Sequence, residues 1–170
     1  MTKKIFGYGS LMNLQSLKKT VPDAKSIFPA LLKNYIRVFE TESSTRLSKQ
    51  NTSICVLNIR ENQNAFVNGI CFEVSENFFN DLLKREGAYE LKEITITSLI
   101  TEKDFSAFVF VDKFNKNQEF LFDDPAQMDY LQICIDGAKD FGEDFYQMFL
   151  ETTFIDDCKL KDVCELKGML

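Results

Sequence analysis

The chain has 170 residues, of which 45% are hydrophobic and 27% charged, with a formal net charge of −6. This predicts a single globular domain over 1–170 that buries roughly 70% of its unfolded surface. The negative balance argues against nucleic acid as a main partner, because phosphate binding needs a basic surface. No apolar run, Phe108–Val111 included, approaches the ~20 residues that span a bilayer. The start, Met1–Gly7, lacks a hydrophobic signal region. A cytoplasmic chain with no membrane partner is therefore expected.

Residues 4–8 read as a short strand running into Gly7-Tyr8-Gly9-Ser10. Residues 13–20 read as a helix with Asn13 as its cap. One or two strands are expected over 25–40, around Pro29. The polar segment 41–51 reads as a long loop. Strands near 53–59 and 66–74 follow, divided by a polar turn from Arg60 to Asn64. Residues 76–86 form the next predicted helix, with Ser75 as cap and Gly87 at its C-terminal end. Strands are expected near 91–100 and 106–112. In the second of these, Ala107, Val109 and Val111 alternate with Phe108 and Phe110, so both faces must be covered. Asp124 and Pro125 open a helix over 125–141 with Met128, Leu131, Ile135 and Ala138 inward. A last helix covers 143–152. This order predicts an α+β fold with a mixed or antiparallel sheet that can close into a small barrel flanked by helices.

Histidine is absent. That excludes a Ser-His-Asp triad, a Cys-His pair and any His-ligated zinc. Acid–base chemistry must then come from a carboxylate, lysine, tyrosine or cysteine. The five cysteines have irregular spacing and form no C-x-x-C, so neither a redox motif nor a zinc site is expected. Cys55, Cys71 and Cys134 read as core residues. Cys158 and Cys164 lie close enough in sequence to pair, against the expectation for a reducing compartment.

Two segments can carry chemistry. In Gly7-Tyr8-Gly9-Ser10-Leu11, two glycines bracket a tyrosine at a strand-to-helix junction. Glycine lets a ligand approach the main chain, and exposed amides ahead of a helix favour an anion. The same spacing suits a turn that only redirects the chain. In Arg85-Glu86-Gly87-Ala88-Tyr89, Glu86 follows Phe78 by eight residues, Leu82 by four and Leu83 by three. This puts its carboxylate on the apolar stripe of the predicted helix. Lost hydration and the helix C-terminus both raise a carboxyl pKa, as a general base requires. The alternative is that Glu86 pairs with Lys84, Arg85 or Arg37 and merely ends the helix.

Together these segments resemble the γ-glutamylcyclotransferase-like superfamily, which includes the AIG2-like and ChaC-like branches. Leu11 after Ser10, and Arg85-Glu86 followed by Tyr89, are similar to the ChaC-like branch. The stretch Tyr130–Ala138 is similar to the family's tyrosine-bearing helix. The resemblance spans about residues 4–150, while 41–51 and the end after 150 add nothing to it. It implies a small mixed barrel wrapped by helices and a small-molecule γ-glutamyl substrate. It implies that Tyr8, Gly9, Ser10 and Leu11 hold that substrate through their backbone. Glu86 is then the catalytic acid/base that lets the substrate's α-amine attack its own γ-carbonyl and release 5-oxoproline. Neither a cofactor nor a metal is implied, and the sequence carries no signal for an oligomeric state. Tyr89 and Tyr130 are expected as hydroxyl donors into the pocket, or equally as core residues. Arg37 and Arg46 are weighed as partners for a substrate carboxylate, Arg46 more readily as a solvated side chain. Two other readings remain: a non-catalytic γ-glutamyl or small-molecule binding module, and an enzyme of another class on the same scaffold.

Overall fold

The structure, a computed structural model, describes residues 2–86, 89–112 and 117–169, with Arg85 by its backbone only. The predicted Gly87 helix terminus lies outside the described residues.

The first strand, β1 (Thr2–Gly7), leads through a 3-10 turn (Ser10–Met12) into helix α1 (Leu14–Thr20). Asn13 starts α1 as expected, its side chain accepting from the amides of Gln15 and Ser16. Two strands of 23 residues each follow, β2 (Lys25–Leu47) and β3 (Ser53–Ser75), paired antiparallel. Ser75 then caps α2 (Glu76–Arg85) by accepting from the Phe78 amide. Strands β4 (Tyr89–Ser98) and β5 (Asp104–Asp112) form an antiparallel pair. Asp124 and Pro125 open α3 (Pro125–Lys139), which is followed by α4 (Glu143–Thr152).

Five strands close into a barrel in the order β3-β1-β5-β4-β2, because β2 pairs back onto β3. The sheet is mixed: β1 and β5 run parallel at Ile5 and Phe108, and the other barrel pairings are antiparallel. One core fills the barrel with Phe6, Leu32, Ile59, Val67, Ile96 and Val109 among others. A second lies under the helices and includes Ile5, Met12, Phe72, Leu131 and Phe149. On β5, Ala107, Val109 and Val111 face the barrel core while Phe108 and Phe110 pack on the helical core. Both faces of that strand are covered, as its alternation predicts.

Three expectations are corrected. The segment read as a loop at 41–51 is strand as far as Leu47. The two strands expected at 53–59 and 66–74 are one. Their predicted dividing turn is a bulge: between Lys33↔Phe66 and Tyr35↔Glu61, Asn34 alone stands against residues 62–65. Asn34 and Asn64 both take left-handed backbone there (φ 63° and 66°), which asparagine tolerates. Past residue 152 the chain continues as β6 (Thr153–Ile155), β7 (Cys158–Lys159) and α5 (Leu160–Lys167). β6 adds parallel to β2, setting Thr153–Ile155 against Arg37–Phe39. All five cysteines are free thiols, so Cys158 and Cys164 do not pair.

Candidate active site

β1 delivers the chain to the barrel rim at Gly7, where the backbone turns through residues 8–12. Arg37 and Tyr130 support this turn from behind and beside it. Arg37 donates to the Tyr8 carbonyl at 3.1 Å. The Tyr130 hydroxyl lies 3.1 Å from where a Cβ on Gly9 would sit, so a side chain at this position would press on the phenol. Helix α3 reaches the far end of the turn at Gly137, where an added methyl would overlap the backbone of Met12 and Asn13. Gly137 thus permits the close backbone approach that seats the turn on the helix.

The turn borders a cavity of about 250 Å³. Tyr8, Gly9, Ser10, Leu11, Glu86, Tyr89 and Tyr130 all line it, so the structure brings these seven sequence-predicted residues to one place. Glu86 sits just past the end of α2, half-buried, its amide donating to the Leu82 carbonyl at 2.8 Å. Lys84, weighed as its partner, instead pairs with Asp81 at 3.6 Å.

The three tyrosines differ in what their hydroxyls are free to do. Tyr8 donates to the Phe110 carbonyl at 2.8 Å, and burial drives its pKa far above the ordinary tyrosine value. Its phenol is thereby committed to the fold. Tyr130 accepts from the Leu57 amide at 3.3 Å. Burial raises its pKa well above the usual value, so it stays a neutral wall of the cavity. Tyr89 is half-buried, and its pKa is pushed up to about 12 by burial first, then by the negative charges of Glu86 and Asp112. No hydrogen bond within the described residues engages its hydroxyl, so it can donate into the cavity.

The segment 43–46, within the 41–51 stretch expected to border the pocket, forms a further wall of it, as strand rather than loop. Between Glu42↔Cys55 and Leu47↔Ser53, four residues of β2 stand against one of β3. This bulge places Ser43, Ser44, Thr45 and Arg46 on the cavity. Ser43 Oγ holds the shape by accepting from the amides of Thr45 (3.3 Å) and Arg46 (2.9 Å). Arg46 is half-buried, with its guanidinium carbon 5.4 Å from the centre of the Tyr130 ring, so the solvated reading is corrected. The run of hydroxyl residues ending in arginine was the one available signal. Arg37 is corrected the other way: it is 0% exposed and does not line the cavity.

A closed mixed barrel with a glycine-bracketed turn and an acid on one cavity defines a protein of the γ-glutamylcyclotransferase-like fold. One solved structure of that fold, described as a γ-glutamyl cyclotransferase, superimposes with a TM-score of 0.71 at 17% identity, covering 98% of this chain and 99% of the other. A yeast γ-glutamyl cyclotransferase described as specific to glutathione gives 0.61 at 13% identity, covering 89% and 95%. A human protein described as uncharacterized gives 0.72 at 16% identity, covering 96% and 98%. A search of curated proteins finds no match. Residues 4–152 match the family model described as ChaC-like protein, and the chain belongs to that family.

Proposed function

We propose that the chain is a γ-glutamyl cyclotransferase that releases 5-oxoproline from a γ-glutamyl peptide or amine. The observation that supports this reading is that Glu86 and the residues Tyr8–Leu11 line one cavity of a ChaC-family barrel. The amides of Gly9, Ser10 and Leu11 would hold the substrate's α-carboxylate, as amides ahead of a helical turn hold anions. Glu86 would take a proton from the α-ammonium group. The freed amine attacks the γ-carbonyl, a C–N bond forms, and a five-membered ring closes through a tetrahedral intermediate. As the intermediate collapses, the original amide C–N bond breaks and Glu86 returns its proton to the departing amine; the ring nitrogen gives up its second proton, so the products are the neutral lactam and an ammonium group. Tyr89 would donate to the carbonyl oxygen as it gains charge.

The chemistry asks little beyond positioning. Nucleophile and electrophile share one molecule, so orientation can supply about 7–11 kcal/mol of barrier reduction. A placed general base adds about 10²–10⁴-fold. The direct test is incubation of the purified chain with glutathione, γ-glutamyl amino acids and γ-glutamyl amines, with chromatographic detection of 5-oxoproline. Turnover of any of them that disappears in Glu86→Gln supports the reading, and turnover of none overturns it.

A further inference from the structure

Arg37 is a full cation inside the protein with no anion beside it among the described residues. Its guanidinium donates to Thr153 Oγ1 at 2.8 Å, Asn68 O and Oδ1 at 2.7 Å each, Tyr8 O at 3.1 Å and Thr152 Oγ1 at 3.2 Å. Its central carbon sits 4.3 Å from the centre of the Phe149 ring. Every one of these partners is neutral, and among the described residues no carboxylate pairs with it. Burial pulls its pKa down to about 9, which leaves it charged at neutral pH. A buried charge without a counter-ion is costly, and a fold that needed only packing at this point could use an apolar side chain.

The direction of one contact shows where the charge acts. Tyr8 and Gly9 share a planar trans peptide, so the Gly9 N–H points opposite to the Tyr8 C=O. The carbonyl faces Arg37, the N–H therefore points away from it, and Gly9 is among the residues that line the cavity. Hydrogen bonding at the carbonyl polarises the peptide and strengthens its N–H as a donor. The guanidinium stands one peptide behind a surface of amides, and the low-dielectric interior screens it weakly.

We propose that Arg37 is a positioning residue for the anion site, whose missing counter-charge is the α-carboxylate of the bound substrate. It fixes the Tyr8–Gly9 peptide and places a positive potential behind it, so the cavity selects a carboxylate over its neutral amide at the turn. The same guanidinium ties the turn to β3 through Asn68 and to the α4–β6 junction through Thr152 and Thr153. This inference rests on the cyclotransferase reading above.

The test compares glutathione with the analogue in which its glutamyl α-carboxylate is a carboxamide. Both are bound by calorimetry to the Glu86→Gln chain, which holds them uncleaved. Arg37→Gln, added to that chain, should lower the preference for the carboxylate by about tenfold. Arg37→Lys should restore most of the preference by keeping the charge. Asn68→Asp is the second variant: it leaves Arg37 in place but sets an internal carboxylate against its Nη2, and should lower the preference in the same way. A merely structural role would weaken both ligands alike and leave their ratio unchanged. If the Glu86→Gln chain binds neither compound, the cyclotransferase reading itself falls and this inference with it. If it binds both without preference, or if Arg37→Gln and Asn68→Asp keep the preference, the inference alone is overturned.

Discussion

The Tyr89 N–H donates to the Glu86 carbonyl at 2.8 Å, and this bond ties the end of α2 to the start of β4. Both residues line the same cavity. The charge of Glu86 in turn helps keep Tyr89 protonated. A carboxylate residue and a phenol residue are thereby tied together across the end of α2 and the start of β4.

Glu86→Gln keeps the size of the side chain and removes its basicity. Release of 5-oxoproline is expected to fall by about 10²–10⁴-fold. Thermal unfolding of the variant should stay close to that of the parent. A variant that retains more than a tenth of the parental turnover would remove Glu86 from the chemistry.

Tyr89→Phe removes the one cavity phenol that the described residues leave unengaged. It should lower kcat by about 10-fold or more while KM changes little, because the hydroxyl acts on charge that develops during reaction. Tyr8→Phe should behave differently. It strips the Phe110 carbonyl of its donor, and should cost about 1–3 kcal/mol of stability. Steady-state kinetics beside calorimetric melting separates the two cases.

Gly9→Ala drives a methyl to 3.1 Å from the Tyr130 hydroxyl and 3.6 Å from the Leu57 Cβ. The phenol or the turn must give by a few tenths of an ångström, and KM is expected to rise. Combining the substitution with Tyr130→Phe removes the oxygen that the methyl meets. The double variant should recover part of the loss, a coupling of at least about 0.5 kcal/mol in a double-mutant cycle.

Gln127 is 0% exposed and binds both backbone groups of Cys55, accepting from its amide at 2.9 Å and donating to its carbonyl at 2.8 Å. It docks α3 on β3 beside the cavity. Gln127→Leu should leave both Cys55 groups buried and unpaired, at a cost of about 2–4 kcal/mol. Denaturant unfolding reads this directly, and a loss under about 1 kcal/mol would contradict it.

Burial lifts Cys55, Cys71 and Cys134 from 9.0 to about 12, and Tyr89 from 10.0 to about 12. A pKa raised on folding means that the native state keeps protons that the unfolded chain has lost. Stability from these groups is full below about pH 9, then falls as pH rises towards 12. The melting temperature should decline across that window. Cys158 is the exposed thiol among five free ones, so at neutral pH a thiol reagent should label one cysteine quickly and the others only on unfolding.

Much of the architecture was legible because it is specified by neighbours in the chain. Asn13, Ser75 and Asp124 each satisfy amides two or three residues away, so their helices announce themselves locally. Glu86, and the turn at Gly7–Leu11, stood out by residue type and resemblance. Even on α3 the inward stripe was partly misjudged. Met128 is only half-buried, while Gln127 and Tyr130 turn fully inward, because Cys55 and Leu57 supply the polar partners that their ends require.

Sequence alone determined the elements whose capping and periodicity are short-range, and the kind of chemistry open to a chain without histidine. Tertiary structure alone decided the fate of Arg37 and Arg46, nine residues apart on one strand. Register against β3, β6 and the helices buried the first behind the Tyr8 peptide. A bulge of four residues against one swung the second onto the cavity. Strand pairing is a contract between distant segments, and a side chain on a strand changes face with every residue of register, so the residues next to an arginine cannot say which way it points.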